Sequence, residues 1–98
     1  MNVVRSTSPQ QPGDVVVELP EATRPDIAAA AERARGAQPG WAAAVPGIRA
    51  AALEAAAAAI AAAAEELTEL VVREVGKPRI EAAGEVARAI AILRYYAQ

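Results

Sequence analysis

The sequence predicts an α-rich α+β chain in which an N-terminal β-hairpin is followed by three helices. β-branched residues cluster before residue 20, on either side of a segment rich in turn-forming residues. After residue 20, apolar residues recur at the three- and four-residue spacing of helices, and alanine dominates. With 98 residues the chain has the size of one domain at most, so residues 1–98 are treated as a single segment.

The hairpin is predicted over residues 3–19. Its strands are the β-branched runs Val3–Arg5 and Val15–Leu19, separated by residues 6–14, which contain two prolines and a glycine. A lone two-stranded hairpin is marginally stable in water, so we expect these strands to join a larger sheet. The three consecutive valines at 15–17 indicate that the second strand is covered on both faces.

The first helix is predicted over residues 24–37. Thr23 is a suitable N-cap, and Asp26 stands three residues later, at the position of a capping box. The segment Gln38–Gly40 contains proline and glycine and is expected to end the helix near residue 37. Trp41 then lies just beyond the helix, where a role as a core or interface anchor is favoured over ligand stacking.

Two further helices are predicted, over residues 46–75 and 78–97. In the first, large apolar residues fall seven apart, at Leu53, Ile60 and Leu67. About 29 helical residues would span about 43 Å. Gly76 suits the position after the helix C-terminus, and Pro78 then suits the first turn of the next helix.

Composition excludes several classes of function. The chain has no cysteine and no histidine, which removes thiolate chemistry and the commonest general base and metal ligand. The net charge is −2 without a basic cluster, which argues against a nucleic-acid partner. The uncharged run at residues 55–64 is too short to span a bilayer, so we expect no membrane partner and a cytoplasmic location. No constellation of catalytic or cofactor-binding residues is found.

Several short motifs, taken in order, nevertheless resemble one family. They are Ser8-Pro9, Asp14–Val16, Ala22-Thr23 with Asp26-Ile27, Trp41, Arg49–Leu53, Glu74–Pro78 and Glu81–Tyr96. In this order and spacing the chain resembles the first fifth of the NAD(P)-dependent aldehyde dehydrogenases. Gly84–Val86 and the proline-spaced hairpin are most similar to bacterial members that oxidise semialdehydes.

The resemblance implies a parent enzyme that oxidises an aldehyde to a carboxylic acid with NAD or NADP. In that family a cysteine thiolate attacks the aldehyde, hydride passes to the cofactor, and a glutamate activates the water that releases the acid. Those groups lie downstream in the family and have no counterpart here. The segment would be a structural part of an α/β coenzyme-binding domain, with the remainder of the polypeptide as its partner. The full-length family members form homo-oligomers, and no cofactor is expected for this chain alone.

The resemblance also implies a structural monovalent cation in some members. By position, Thr7 through its carbonyl and Glu74 through its carboxylate match the ligands. Glu74 stands where a shorter aspartate is expected and Ser8 where asparagine is usual, so an ordinary surface carboxylate is the competing interpretation of Glu74.

Two other interpretations of the whole chain remain. It could be a free-standing helical interaction module without catalytic activity, which binds a partner or itself through exposed alanine and leucine faces. It could also be a non-functional remnant of a truncated gene. A cooperative thermal transition and a discrete oligomer are expected of the module, whereas exposed apolar surface and inactivity are expected of the enzyme segment.

Overall fold

The computed structural model describes residues 2–98 of the chain. Within that range, two strands are followed by four helices. They are β1 (Val3–Thr7), β2 (Val15–Pro20), α1 (Arg24–Ala43), α2 (Pro46–Ala62), α3 (Ala64–Val75) and α4 (Arg79–Tyr96). The predicted class, an α-rich chain that opens with a β-hairpin, is confirmed, whereas the predicted number of three helices is wrong.

β1 and β2 form the predicted antiparallel hairpin. Arg5 pairs with Glu18 across the strands, and its guanidinium donates a hydrogen bond to the Glu18 carboxylate. A register irregularity lies between Ser6 and Thr7, where β1 approaches the loop. Four of the five valines of the two strands are exposed, Val15 at 43%, and Val16 is half-buried. Residues 2–98 therefore do not supply the cover that three consecutive valines predict for both faces of β2.

The start of α1 agrees with the sequence prediction. The Asp26 N–H donates to the Thr23 hydroxyl at 3.2 Å, and the Thr23 N–H donates to the Asp26 carboxylate at 2.8 Å. This capping box satisfies the N–H groups of both residues at the helix start. Hydrogen bonds from the Thr23 backbone and then from its hydroxyl stabilise the carboxylate and lower the pKa of Asp26 below its ordinary 3.8.

The end of α1 differs from the prediction, because the helix continues through Pro39 to Ala43 instead of ending near residue 37. Proline has no N–H, so the Arg35 carbonyl loses its partner four residues later. Every residue of α1 is at least partly exposed, and water can satisfy that carbonyl, which reduces the cost of a proline inside the helix. Trp41 consequently lies in the last turn of α1, with 45% of its surface exposed.

The C-terminus of α1 is closed by groups outside the helix. The Ala44 N–H donates to the carbonyls of Gly40 and Trp41 at 3.1 and 3.2 Å. The Arg49 guanidinium, in the first turns of α2, donates to the Ala44 carbonyl and more weakly to the Ala42 carbonyl at 3.4 Å. These bonds satisfy carbonyls that a helix end leaves without partners.

The prediction of one long helix over residues 46–75 is wrong. The chain bends by 71° at Ala63 and forms two helices, α2 and α3. Ala63 leaves helical geometry, with φ −101° and ψ 12°. Neither glycine nor proline marks the bend, so local sequence does not explain it. The bend lets α2 and α3 both pack on α4.

In residues 2–98, no single helix is long and apolar enough to cross a membrane. Only α2 and α3 taken together, across the bend at Ala63, reach that length and apolar character.

α4 starts and ends within one residue of its predicted range of 78–97, and it packs against both α2 and α3. The buried apolar residues at these contacts are Ala57, Ala82 and Val86. Two of them are alanines, so the helices approach closely but remove little apolar area from water. Thr68 is also buried, and its hydroxyl donates to the Ala64 carbonyl at 2.7 Å, which satisfies the polar group.

The molecule is a thin layer with dimensions of 48 × 38 × 15 Å. Its radius of gyration of 17.2 Å exceeds the value of about 12.6 Å that is typical of a compact domain of this length. Its accessible surface of 7,400 Å² likewise exceeds the roughly 5,300 Å² of a compact monomer of 10.1 kDa. Much apolar surface is therefore left uncovered by the described part of the chain.

Candidate functional site

The best-defined polar cluster lies where the hairpin meets the end of α3, and we call it the hairpin–helix junction (residues 6–14 with 73–77). Gly76 ends α3 in the left-handed region, at φ 82° and ψ 17°, as its predicted position after the helix requires. A Cβ on Gly76 would lie 2.9 Å from Cγ of Pro9 in the hairpin loop. Both the backbone conformation and the close approach of the loop therefore favour glycine here.

Arg73, in the last turn of α3, holds the hairpin loop through an ion pair with Asp14. Nε and Nη2 of Arg73 donate to the two carboxylate oxygens of Asp14 at 3.1 and 2.6 Å. This planar, two-point geometry is specific to arginine among the basic residues. The hydrogen bonds and then the charge of Arg73 lower the pKa of Asp14, although partial burial opposes that shift. The pair is 43% and 32% exposed, so its role is to orient the loop more than to add stability.

Asp14 also closes the loop through its backbone. Its carbonyl accepts a hydrogen bond from the Ser8 N–H at 3.0 Å, and its own N–H donates to the Gln11 carbonyl at 2.8 Å. Ser8 is 4% exposed, and its hydroxyl accepts from the Gln10 N–H at 3.3 Å. One residue therefore links the folded loop to the helix.

The two residues implied as cation ligands, Thr7 and Glu74, come from neighbouring parts of the junction. The Ser6 hydroxyl donates to the Glu74 carboxylate at 2.8 Å, which places that carboxylate one residue from Thr7 along β1. Carboxylate and carbonyl oxygens are the donors that hard cations prefer. Among residues 2–98, no group of three His, Cys, Asp or Glu side chains is placed to hold a metal ion. Thr7 and Glu74 by themselves offer only part of a coordination shell.

The α3–α4 connection carries two exposed ion pairs. The Lys77 ammonium donates to the Glu85 carboxylate at 2.6 Å, and this hydrogen bond raises the pKa of Lys77. Arg79 donates to Glu69 across the same connection. The first pair joins the α3–α4 connection to the second turn of α4, and the second joins the first residue of α4 to the middle of α3. Both pairs have a structural role, since each joins parts of the chain on either side of the α3–α4 connection or within it.

An apolar groove with a volume of about 420 Å³ runs between α3 and α4 and also touches the end of α2. It is lined mainly by Ile60, Leu67, Leu70, Val71, Val86 and Ala89. The charged residues at its rim are Glu74 and Glu85, and Glu85 already pairs with Lys77. The groove has no paired acid and base or nucleophile, so its chemistry is that of a packing surface.

Sequence reasoning identified Gly76 and Glu74 at the junction but missed its main ion pair. Arg73 and Asp14 are 59 residues apart, and neither belongs to a local motif from which its partner could be predicted. The Ser6–Glu74 hydrogen bond was missed for the same reason, because it spans 68 residues. These two interactions could have been predicted only if the packing of the hairpin against the end of α3 had been known.

Comparison with known proteins identifies the class of this chain. A family model described as the aldehyde dehydrogenase family matches residues 2–98, which is nearly the whole sequence. The chain therefore belongs to the aldehyde dehydrogenase family, as the ordered motifs of its sequence indicate.

The similar curated proteins include several semialdehyde dehydrogenases. The alpha-ketoglutarate semialdehyde dehydrogenase of Haloferax volcanii is 38% identical over 90 residues, 92% of this chain and 19% of that protein. The succinate-semialdehyde dehydrogenase of Paenarthrobacter nicotinovorans is 38% identical over 84 residues, 86% of this chain and 19% of that protein. The alpha-ketoglutaric semialdehyde dehydrogenase of Bacillus subtilis is 34% identical over 96 residues, 98% of this chain and 20% of that protein.

The chain thus spans about a fifth of the length of these relatives. The chain is also 38% identical over 90 residues to the bifunctional protein PutA of Escherichia coli, and it covers 7% of that protein's length. The matched region is a segment of a much longer polypeptide in each relative.

Proposed function

We propose that this chain is a structural N-terminal segment of an enzyme that oxidises an aldehyde to a carboxylic acid with NAD(P)+. The observation that carries the proposal is the family match over residues 2–98. The chemistry of the family needs a cysteine nucleophile, and this chain has no cysteine. The segment's own contribution is to pack its hairpin and helices against the rest of the coenzyme-binding domain.

The uncovered surface of the molecule supports this role. Large apolar side chains on several helices are more than half exposed, including Ile27 at 63%, Ile48 at 62% and Ile80 at 84%. The accessible surface of 7,400 Å² is also larger than the roughly 5,300 Å² that a compact monomer of this mass leaves in water. A segment that packs against the rest of a larger domain would bury these residues, whereas the thin layer formed by residues 2–98 leaves them in water.

The substrate class that the comparisons favour is a semialdehyde, which carries a carboxylate at the end opposite the aldehyde. By their names, the relatives from Haloferax volcanii and Paenarthrobacter nicotinovorans act on alpha-ketoglutarate semialdehyde and succinate semialdehyde. Another relative, from Salmonella heidelberg, is an N-succinylglutamate 5-semialdehyde dehydrogenase, 38% identical over 99 residues. The remaining features of the proposal are NAD or NADP as cofactor, homo-oligomers of the full-length protein and a cytoplasmic location.

The first experiment compares this chain with a longer product of the same gene. The intact mass of the native product is measured in its source cell, and both proteins are assayed for NAD(P)H formation with succinate semialdehyde and with an aldehyde that has no carboxylate. We expect a product about five times as long as this chain, turnover by that product, a preference for the semialdehyde, and no turnover by the 98-residue chain. Turnover by the short chain would contradict a purely structural role.

The exposed apolar faces also support a second candidate, a free-standing helical interaction module. A module has to fold by itself and hold a defined partner. A cooperative thermal transition of the 98-residue chain, together with a single discrete oligomer in sedimentation, would favour the module. Dye binding and indefinite association would instead favour the enzyme segment.

We further propose that Glu74 and the Thr7 carbonyl contribute two oxygen ligands to a structural monovalent cation in the full-length enzyme. The neighbouring positions of Ser6 and Glu74 support this, and other ligands would come from other parts of that enzyme. The melting temperature of the enzyme is measured in NaCl, KCl and choline chloride. We expect a higher value with one of the metal salts and loss of that difference in Glu74→Gln, but not in the control Glu66→Gln. An equal melting temperature in all three salts would contradict the site.

A further inference from the structure

In the described part of the chain, residues 2–98, the hairpin contacts the helices mainly at α3, which lies beside both strands. The best-defined contacts are at the last turn of α3 and the residue that follows it: Arg73 with Asp14, Glu74 with Ser6, and Gly76 with Pro9. They come from residues within one helical turn. A body held mainly by one helix can move away without the unfolding of the elements that hold it.

The attachment is mainly polar, whereas the helices hold one another by apolar packing. Along β1 and β2 every residue is exposed except Ser6 and Val16, which are half-buried. Ala57, Ala82 and Val86 are buried among the helices instead. The helices therefore retain their core when the hairpin leaves.

The Arg73–Asp14 pair has the strongest geometry of the three contacts. Two parallel hydrogen bonds fix the direction of the carboxylate relative to α3, and the Asp14 carbonyl at the same time closes the loop on Ser8. The Ser6–Glu74 contact is one exposed hydrogen bond, and the Pro9–Gly76 contact is small. Loss of the ion pair would thus release the loop that carries Pro9, and only the Ser6–Glu74 hydrogen bond of β1 would be left of the three.

From these observations we propose that the hairpin Val3–Pro20 opens as a unit separate from the helices, and that the Arg73–Asp14 ion pair is the latch that holds it closed. This goes beyond the proposed function, since it concerns a movement within residues 2–98 when the rest of the enzyme does not pack on them. The open state exposes the last turn of α3 and the residues of the hairpin that contact it.

Hydrogen exchange of the 98-residue chain tests the latch. In the wild type, we expect the amides of β1 and β2 to exchange at least about tenfold faster than the amides of the α2–α4 core. Asp14→Asn and Arg73→Lys are expected to accelerate exchange in the hairpin and at residues 73–77 by about two- to fivefold, with the α2–α4 core unchanged.

The matched control is Glu18→Gln, which removes the same charge from an ion pair inside the hairpin. We expect it to leave exchange at residues 73–77 unchanged, because Glu18 pairs with Arg5 and not with α3. Three results would overturn the proposal: equal exchange in the wild-type hairpin and core, equal effects of Asp14→Asn and Glu18→Gln at residues 73–77, or uniform acceleration of every amide by Asp14→Asn. A wild-type hairpin without any protection would also overturn it, since no closed state would then exist.

Discussion

Gly76 and Gly84 show how the same substitution has opposite effects at two positions. Gly76 has φ 82°, and an added methyl group would meet Pro9. Gly84 lies inside α4 with open space around its Cα. We expect Gly76→Ala to lower the free energy of unfolding by about 1–2 kcal/mol. Gly84→Ala should raise it by about 0.5–1 kcal/mol, because alanine loses less conformational freedom in a helix. Urea unfolding measures both, and effects of the same sign would contradict the assigned backbone conformations.

Asp26 gives the start of α1 a dependence on pH. Hydrogen bonds from Thr23 lower its pKa in the folded state below 3.8, so the capping box stabilises α1 fully above that value. As the pH falls through the lowered pKa, the carboxylate is protonated and this stabilisation is lost. An NMR titration should therefore give a low pKa for Asp26 and fraying of the first turn of α1 in acid. Asp26→Asn should abolish the acid-dependent part of the fraying, and fraying that persists in this variant would implicate another group.

At the scale of residues, sequence reasoning succeeds where the physical cause is local. Thr23 with Asp26, and Gly76 after α3, act through the backbone within a few residues, so their roles can be predicted from neighbouring positions. Arg73 and Asp14 act only after the hairpin has reached α3. Arginine is common near a helix C-terminus because its positive charge interacts favourably with the helix dipole. The residues next to Arg73 therefore do not predict that it binds a carboxylate 59 residues away.

Arg49 is the side chain that links α2 to the end of α1. Arg49 donates to the Ala44 carbonyl beyond the end of α1 and to the Ala42 carbonyl within its last turn, where the helix has no basic residue of its own. Arg49→Met keeps much of the side-chain volume but removes these donors. We expect severalfold faster amide exchange in the last turn of α1, around Trp41, with little effect on α4. Arg88→Met, on the exposed side of α4, is the control and should leave the end of α1 unchanged.

The elements that sequence predicts well are those with clear start and stop signals. α4 is bounded by Pro78 and the end of its apolar pattern, and its range was predicted to within one residue. The two errors have different causes, tertiary packing in one case and exposure to water in the other. α2 and α3 bend at Ala63 because both contact α4, although an alanine-rich run favours one straight helix. α1 passes through Pro39 because its exposure allows water to replace the missing hydrogen bond.

At the scale of the whole molecule, the sequence already indicates a weak core. Alanine makes up more than half of the apolar residues, and each buried methyl group contributes only about 0.8 kcal/mol. The structure agrees, since two of the three buried apolar residues in the described range are alanines. What composition could not predict is the shape, because a thin layer and a compact bundle can share the same alanine content.

The thin shape leads to a prediction for the isolated chain in solution. If the isolated chain keeps its thin shape without the rest of the enzyme, X-ray scattering at low concentration should give a radius of gyration near 17 Å. That value is clearly above the roughly 12.6 Å of a compact domain. The chain should also bind a hydrophobic dye, because its isoleucines are exposed. Replacement of Ile27 and Ile48 together by glutamine should lower dye binding without changing helix content, whereas Arg33→Gln with Arg88→Gln should not lower it. A compact monomer without dye binding would mean that the helices collapse on one another when nothing else covers them.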